Sequence, residues 1–352
     1  MRAGFLADLR CAACGGPLAL EEKGPAAEDF QEGFLSCSCG CRFPVIAGVP
    51  RLLPEDLAAT LLVEQRDFFE RHPDAAPRGS EALRPATLST LRAFGDEWRR
   101  FPELHAVHAR IFDWYFEGPR PVSWPELRVL DAGCGMGRWL HFARRAGALV
   151  VGMDVSPAID VAAQRDPGDF VQADLRHPPL RPASFDLVYS LGVLHHLEEP
   201  LGGLRALAAL VRPGGELRIY VYRSLHDEPW LRRALLSLVT ELRRVTTRLP
   251  FWAVDAVATT IAIAATPLFL WPRRLLRRMP IGERLTRGLP LVHYADVPFR
   301  MLVAEQFDRL VAPIEGRYRA DEIEGWFEAI GFELVALLPG LGWRAIGRRP
   351  EA

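Results

Sequence analysis

From Leu127 onward, short apolar runs alternate with helix-length segments, and this alternation restricts the possible folds more than any other feature of the chain. Such alternation predicts βαβ units, in which helices cover both faces of a parallel sheet. The predicted strands are LRVLDAG, ALVVGMDVS, DFVQADL, FDLVYSLG and GELRIYVY, and the predicted helices between them are GRWLHFARRAG, AIDVAAQR and PLGGLRALAALV. The alternation stops after Tyr222 and resumes after Tyr318, where a helix and a two-stranded hairpin are expected to complete the sheet.

The 352 residues suffice for about two domains with a sizeable core. Composition and pattern divide them into five predicted parts: a cysteine-rich module (1–55), a helical cap (56–124), an α/β core (125–222), an insertion (223–318) and a closing segment (319–352). The net charge is −1, so no overall field attracts nucleic acid, and nucleic acid is not expected as a partner.

Three glycines follow the first predicted strand within five positions: Gly133, Gly135 and Gly137, behind Asp131. In an open α/β sheet, ligands bind beyond the carboxyl ends of the strands, beside the first strand. The dinucleotide fingerprint G-x-G-x-x-G requires its third glycine where this chain has Arg138. The turn therefore predicts a ligand site but disfavours a dinucleotide.

The pattern D-x-G-x-G-x-G resembles the first motif of the class I S-adenosylmethionine-dependent methyltransferases. Four further motifs follow in the order of that family within residues 127–222, namely VVGMDVS, VQAD, FDLVYSLGVLHHL and LVRPGGELRIYVY. The resemblance implies an α/β fold with a seven-stranded Rossmann-like sheet, and S-adenosylmethionine as the cofactor.

The same resemblance implies roles for individual residues. The glycines would lie beneath the methionine part of the cofactor, Asp154 would hold both ribose hydroxyls, and Asp174 would read the adenine amino group. The alternative that Asp131 and Asp174 only cap local turns stays open. The predicted cofactor site comprises Asp131, Gly133, Gly135, Gly137, Asp154, Asp174 and Ser190.

Methyl transfer from a sulfonium requires an aligned nucleophile and exclusion of water, and a hydroxyl acceptor also requires a base. His195 and His196 follow the fourth strand, near the expected methyl position, and are the predicted catalytic residues, with His195 preferred. Local packing of one histidine is the alternative. The pair resembles the small-molecule and quinone (type 11, UbiE-like) branch of the family. The amide-methylating signature Asn-Pro-Pro-aromatic is replaced by SLGV, which disfavours N-methylation of that type.

Five of the six cysteines lie in the first 41 residues. The segments CAACGG and LSCSCGCRFPVIAGVPRLLP resemble a Trm112-like zinc ribbon, which implies a structural zinc ion held by four thiolates. The predicted ligands are Cys11, Cys14, Cys37 and Cys39, with Cys41 as the alternate to Cys39. The alternative is a zinc ribbon that binds RNA, and it is disfavoured because the segment has few basic residues. The segment MRAGFLADLR lacks the apolar core of a signal peptide, so a cytoplasmic location is expected.

The insertion combines an amphipathic helix, WLRRALLSLVTELRRVTTRL, with an almost wholly apolar run over residues 251–271. The amphipathic helix places Leu231, Leu235, Leu238, Leu242 and Val245 along one face. The apolar run has three interpretations: a membrane span, a core helix buried on all sides, or a substrate lid that touches a membrane surface. Core and lid are favoured, with peripheral membrane contact through residues 230–278.

Two further segments resemble a group of bacterial methyltransferases. In AFGDEW, Phe94 and Trp98 are expected to pack over the cofactor pocket, with ordinary core burial as the alternative. In FDRLVAP and YRADEIEGWF, the residues Asp308, Arg309 and Tyr318 are candidates to face the acceptor, and salt bridges or caps are the alternative.

The sequence therefore predicts an S-adenosylmethionine-dependent methyltransferase acting on oxygen or carbon of a small or lipid-linked acceptor, such as a quinone, polyprenyl, glycolipid or natural-product-like molecule. Two alternatives remain: a ribosomal or transfer RNA methyltransferase guided by its zinc ribbon, and a non-catalytic binding partner with a methyltransferase fold.

Overall fold

Two β-sheets organise the protein in a computed structural model that describes residues 1–21, 29–77, 95, 98, 100–226, 230–279, 281–286, 289 and 291–351. The N-terminal sheet is an antiparallel meander of four strands in sequential order. Its strands are β1 (Leu18–Leu20), β2 (Gly33–Cys37), β3 (Arg42–Ile46) and β4 (Val49–Pro50). Short helices follow, α1 (Glu55–Ala58), α2 (Leu61–Glu64) and α3 (Arg66–Arg71), and then α4 (Ala106–Phe116).

The second sheet has seven strands in the order β10-β11-β9-β8-β5-β6-β7, so the predicted seven-stranded Rossmann-like sheet is confirmed. Its parallel strands are β5 (Arg128–Ala132), β6 (Leu149–Asp154), β7 (Asp169–Gln172), β8 (Phe185–Leu191) and β9 (Val211–Tyr222). The antiparallel hairpin of β10 (Glu333–Pro339) and β11 (Gly342–Arg348) extends the sheet beyond β9. The connecting helices are α5 (Arg138–Arg145), α6 (Ala158–Arg165) and α7 (Pro200–Ala208), and α13 (Ala320–Ala329) precedes the hairpin. Every strand and helix predicted for the core is present.

Both faces of this sheet are covered, because successive strand residues point to opposite sides. On one face Leu130 and Val188 pack with Leu204 of α7 and Phe327 of α13. On the other face Val129 packs in a cluster that includes aromatic residues of α4 and side chains of α5. The carboxyl ends of the parallel strands are thereby left as the open edge of a rigid support.

The N-terminal sheet is joined to the edge of the large sheet at β7. The Leu52 amide donates to the Gln172 carbonyl (2.9 Å), directly after β4. The fully buried Arg51 donates to Gln172 Oε1 (2.9 Å) and forms an ion pair with Asp160 Oδ1 (2.6 Å). An exposed strand edge is a site of unwanted pairing, and this contact covers it.

Helices form the insertion. They are α8 (Trp230–Thr246), a long helix (Phe251–Leu276), α11 (Gly282–Thr286) and α12 (Phe299–Val311). The long helix consists of α9 (Phe251–Ala265), a π-helical segment (Thr266–Leu270) and α10 (Trp271–Leu276). Pro267 lies in the π-helical segment, where the regular hydrogen-bond ladder cannot continue because proline lacks an N–H group.

The long helix is buried on one side only. Val254, Ala258 and Ala262 pack in a cluster with residues of α12, whereas only 28% of its most apolar window is buried. The interpretation as a core helix buried on all sides is therefore wrong. Within the part of the chain that the structure describes, it is also the one helix long and apolar enough to cross a membrane.

Candidate functional site

A cavity of about 590 Å³ opens at the carboxyl ends of the parallel strands. Gly133, Gly135, Asp154 and Asp174 line one part of it, as predicted for the cofactor site. The insertion and α4 line another part, so a single cavity joins the predicted cofactor wall to residues from distant segments. A volume of this size is ordinary for small-molecule sites.

The glycine turn adopts a backbone that favours glycine at each of its three positions. The φ angles are +83° at Gly133, +51° at Gly135 and +78° at Gly137. The Gly133 amide donates to the Met153 carbonyl (2.7 Å), which fixes the turn against the end of β6. A Cβ at Gly133 would lie 2.5 Å from a methyl carbon of Val193. The turn is therefore shaped by left-handed backbone and by close approach of the loop after β8.

Asp154 lies at the end of β6, partly buried and on the cavity wall. Its Oδ2 accepts a hydrogen bond from the Gly135 amide (2.7 Å), and its Oδ1 accepts from the amide (2.8 Å) and hydroxyl (2.7 Å) of Ser156. Burial raises the pKa of this carboxyl. These bonds hold the carboxylate in one orientation, and Oδ2, which accepts one of the three, keeps capacity for a further hydrogen bond.

Asp174, directly after β7, also lines the cavity. Arg176 holds it: the Arg176 amide donates to Oδ1 (2.8 Å), and the guanidinium donates to Oδ2 from Nε (2.8 Å) and Nη2 (2.5 Å). The local-cap alternative is thus partly correct, because Asp174 does hold its own turn. Its position on the wall is compatible with the predicted adenine contact as well.

Three predicted cofactor residues lie outside the described lining of the cavity: Asp131, Gly137 and Ser190. Asp131 is buried and accepts a hydrogen bond from the Tyr189 hydroxyl (3.0 Å), and burial raises its pKa to about 8. The buried Ser190 hydroxyl donates to the Ala132 carbonyl (2.9 Å). These two hydrogen bonds join β8 to the end of β5, directly before the glycine turn.

The two histidines occupy different environments. His195 is fully buried and stacks on Tyr222 with ring centroids 3.9 Å apart, and within the described residues neither of its ring nitrogens has a hydrogen-bond partner. Burial holds its pKa well below the usual value. His196 lines the cavity, and its Nδ1 donates to the Ile314 carbonyl (2.7 Å). Of the two predicted catalytic residues, the structure brings His196 to the cavity and keeps His195 behind it.

Ionisable side chains that the sequence analysis mostly missed also line the cavity. Tyr115, Tyr220, Tyr222 and Glu305 are new, and Asp308 is one of the three candidates predicted to face the acceptor. Burial, followed by repulsion from Glu305 and Glu315, raises the pKa of Asp308 to about 7. No local pattern marks the other four, because they come from α4, β9 and α12, which tertiary packing brings together.

The other two acceptor candidates lie elsewhere. Arg309 donates to the Tyr294 hydroxyl (3.0 Å), and Tyr318 packs against Trp326 with ring centroids 4.6 Å apart. Neither lines the cavity, so the alternative of local structural roles holds for both.

Trp98 lines the cavity, as predicted for the AFGDEW segment. A Cβ at Gly135 would lie 3.2 Å from the indole Nε1 of Trp98, and the Arg138 guanidinium lies 4.7 Å from the centroid of the same ring. The indole thus covers the glycine turn. Phe94 lies outside the described residues.

The N-terminal sheet brings four thiols together. The sulfur atoms of Cys11, Cys14, Cys37 and Cys39 all lie within 4.8 Å of one another. Two pairs are 3.7 Å and 3.5 Å apart, close to the roughly 3.8 Å between thiolates that bind one zinc ion tetrahedrally at about 2.3 Å. Cys41 is outside this group, so the geometry favours Cys39 as the fourth ligand.

Residues 130–219 match the family described as "Methyltransferase domain". An uncharacterised protein of Synechococcus sp. is 31% identical over 309 residues, which cover 81% of this chain and 66% of that protein. The ubiquinone biosynthesis O-methyltransferase of Xanthomonas campestris is 38% identical over 121 residues, or 32% of this chain and 49% of that enzyme. The tRNA U34 carboxymethyltransferase of Cellvibrio japonicus is 30% identical over 183 residues, or 45% and 56%. The chain thus spans about half to two thirds of the length of these relatives.

Proposed function

We propose that the chain, whose residues 130–219 match a methyltransferase domain family, is a class I S-adenosylmethionine-dependent methyltransferase that transfers a methyl group to oxygen or carbon of a small or lipid-linked acceptor. The observation that carries this proposal is the single cavity with two chemically distinct parts. One part is formed by the glycine turn, Asp154 and Asp174, and the other by ionisable side chains of β9 and α12.

Each residue of the cofactor part has a defined task in this proposal. Asp154 accepts hydrogen bonds from the ribose hydroxyls, because the Gly135 and Ser156 amides already aim its oxygens. Asp174 meets the adenine amino group, and Trp98 covers the methionine end and excludes water. The cofactor supplies an activated methyl group on a sulfonium. The protein therefore has to align the acceptor with this methyl group and exclude water from the site.

At the acceptor part, His196 is the proposed base. Donation from its Nδ1 to the Ile314 carbonyl fixes the tautomer, which leaves the lone pair on Nε2. Burial lowers its pKa, so the ring is neutral near pH 7 and able to take a proton. Asp308, on the same wall, is assigned to hold the acceptor hydroxyl as a hydrogen-bond acceptor. His195, stacked on Tyr222, is a positioning residue that supports this wall.

We also propose a structural zinc ion in the four-thiol cluster, since four thiolates leave no coordination position open for chemistry. The Cys11, Cys14, Cys37 and Cys39 side chains fit such an ion by distance and by donor type.

An RNA acceptor is the second candidate, supported by the similarity to the tRNA U34 carboxymethyltransferase. The overall charge of −1 and the few basic residues in the ribbon favour a small-molecule acceptor instead.

The first test is cofactor binding by calorimetry. Asp154→Ala is expected to weaken S-adenosylmethionine binding at least about tenfold, because it removes charge-assisted hydrogen bonds. The matched control is Asp113→Ala, which removes an exposed carboxylate of α4 outside the cavity lining and is expected to bind normally. Ser156→Ala keeps the carboxylate and tests whether its orientation matters. Equal affinity in Asp154→Ala and in the unsubstituted protein would refute the assigned site.

A further inference from the structure

The exposed face of the long insertion helix is mainly apolar, with Thr260 and Arg274 as the exposed polar residues. Trp252, Ile263, Leu268, Trp271 and Leu275 recur at helical spacing, and Trp252 and Leu275 are each 73% exposed. A surface helix of a soluble protein normally turns its polar face outward. In this helix the large apolar side chains point outward, and the small residues Val254, Ala258 and Ala262 face the protein.

The neighbouring helix α8 repeats this arrangement. Its inner side is held by polar contacts: the Arg243 guanidinium donates to the Arg309 carbonyl (2.9 Å), and the Thr246 hydroxyl donates to the Leu310 carbonyl (2.7 Å). Its outer side exposes Leu238, Leu242 and Val245. Both helices thus pack on α12 and turn large apolar side chains outward. We call the exposed side chains of the two helices the outer apolar surface: Trp252, Ile263, Leu268, Trp271, Leu275, Leu238, Leu242 and Val245.

Positive charge accompanies this surface. Residues 223–300 contain 13 arginines and six acidic residues. Arg274 and Arg278 lie at the end of the long helix and Arg248 lies just after α8, all exposed. Arg277 and Arg244 are exposed as well, but they pair with Asp296 and Glu241. Apolar side chains with aromatic and arginine flanks are typical of segments that lie in the interface of an anionic bilayer.

The contacts of the long helix indicate that it lies on a bilayer and does not cross it. Its 26 residues, roughly 39 Å, are long enough to span. At its start, however, Phe251 packs on Phe307 with ring centroids 4.8 Å apart, and Asp255 pairs with Arg100 (3.4 Å). At its end, Arg277 pairs with Asp296 (2.5 Å). One face therefore stays on the protein along the entire helix.

We propose that the outer apolar surface docks on an anionic lipid bilayer. Charge complementarity selects this occupant over a second copy of the chain, whose own surface carries the same arginines. Docking also suits the proposed function, because α12 turns Phe307 toward the long helix and Asp308 toward the cavity. Only α12 would then lie between the bilayer and the cavity that receives a lipid-linked acceptor. This statement about the acceptor rests on the proposed function, whereas docking does not.

The test is co-sedimentation of the full chain with vesicles. We expect binding to phosphatidylcholine vesicles that contain about one third phosphatidylglycerol, with weaker binding to pure phosphatidylcholine and at high salt. The triple variant Trp252→Ser, Leu268→Ser, Leu275→Ser should lose about tenfold or more of this binding. The matched control, Val63→Ser with Leu341→Ser, alters exposed apolar residues elsewhere and should bind normally.

Two outcomes would overturn the proposal. One is equal vesicle binding by the triple variant and the unsubstituted protein. The other is no vesicle binding at all, together with a dimer in solution that the triple variant converts to monomer, which would make this surface a self-interface. Two measurements separate this proposal from the proposed function. The triple variant should keep its affinity for S-adenosylmethionine, and Asp154→Ala should keep its binding to vesicles.

Discussion

Gly133 shows how a single residue shapes the cofactor turn. Its φ of +83° disfavours any other residue, and its missing Cβ gives room to Val193, three residues before His196. The position therefore sets both the backbone of the turn and the distance between the turn and the proposed base.

Gly133→Ala is expected to lower the free energy of unfolding by about 1–3 kcal/mol, because it combines backbone strain with a clash. Thermal unfolding measures this change. Gly331→Ala is the matched control, since Gly331 also has positive φ (+70°) but nothing within 4 Å of its added Cβ. A second substitution, Val193→Ala, should recover part of the loss. Equal losses in Gly133→Ala and Gly331→Ala would show that the close approach is unimportant.

Asp308 is expected to make the methylation rate depend on pH near neutrality. Its pKa is raised to about 7 by burial and by Glu305 and Glu315, with Arg309 and Arg138 acting in the opposite direction. The carboxyl is protonated below that pH and ionised above it. The methylation rate at saturating S-adenosylmethionine is therefore expected to rise as pH increases through about 7. Asp308→Asn should be slower and should lose this rise, and an unchanged pH profile would contradict the assigned role.

Sequence reasoning expected Asp154 and Asp174 at the open edge of the sheet, and both line the cavity there, because strand ends fix where a following side chain points. It placed Asp131 and Ser190 with them, but both lie within the region where strand alternation buries side chains, and they hydrogen-bond inside the protein. It missed Glu305 because that residue reaches the cavity only through the fold of the insertion. Motif position thus predicts the cavity residues at the ends of β6 and β7 better than those that come from the insertion.

At the scale of elements, the joint between β4 and β7 couples the N-terminal sheet to the core. Arg51→Met is expected to lower the free energy of unfolding by about 3 kcal/mol, because it breaks a buried ion pair with Asp160. Arg71→Met is the matched control, since Arg71 forms an exposed pair with Glu32 and should cost less than about 1 kcal/mol. Denaturant unfolding compares the two variants, and similar midpoints would show that the joint contributes little.

The four-thiol cluster gives a prediction about metal content. The purified protein should contain about one zinc ion per chain, Cys39→Ser should lose it, and Cys41→Ser should keep it. Elemental analysis measures the zinc content of the unsubstituted protein and of both variants. Zinc loss in Cys41→Ser with retention in Cys39→Ser would reverse the assignment made from the sulfur distances.

The elements themselves were largely predictable, but their orientation was not. The period of α8 indicated one apolar face, with Leu238, Leu242 and Val245 on it, and the structure turns that face to the outside; the side chains of Leu231 and Leu235 lie outside those described. Periodicity reports which residues share a face and carries no information about what that face meets. For the long helix, composition alone could not separate burial from exposure.

At the scale of the whole molecule, α12 connects the two proposals. One side of it contributes Glu305 and Asp308 to the cavity, and another side packs through Phe307 against the helices of the outer apolar surface. The large sheet holds the cofactor part from the opposite direction, through β5 and β6. The molecule can therefore be described as a parallel sheet and a helical insertion that meet at one cavity.

Methyl transfer itself is the decisive measurement. The purified protein is incubated with methyl-labelled S-adenosylmethionine and a fractionated bacterial lysate, in parallel with Asp154→Ala and Asp113→Ala. We predict label in the organic-solvent extract for the unsubstituted protein and Asp113→Ala, and none above background for Asp154→Ala. Label that appears only in material released by ribonuclease, or equal label with Asp154→Ala, would contradict the proposed acceptor class or the proposed cofactor site, respectively.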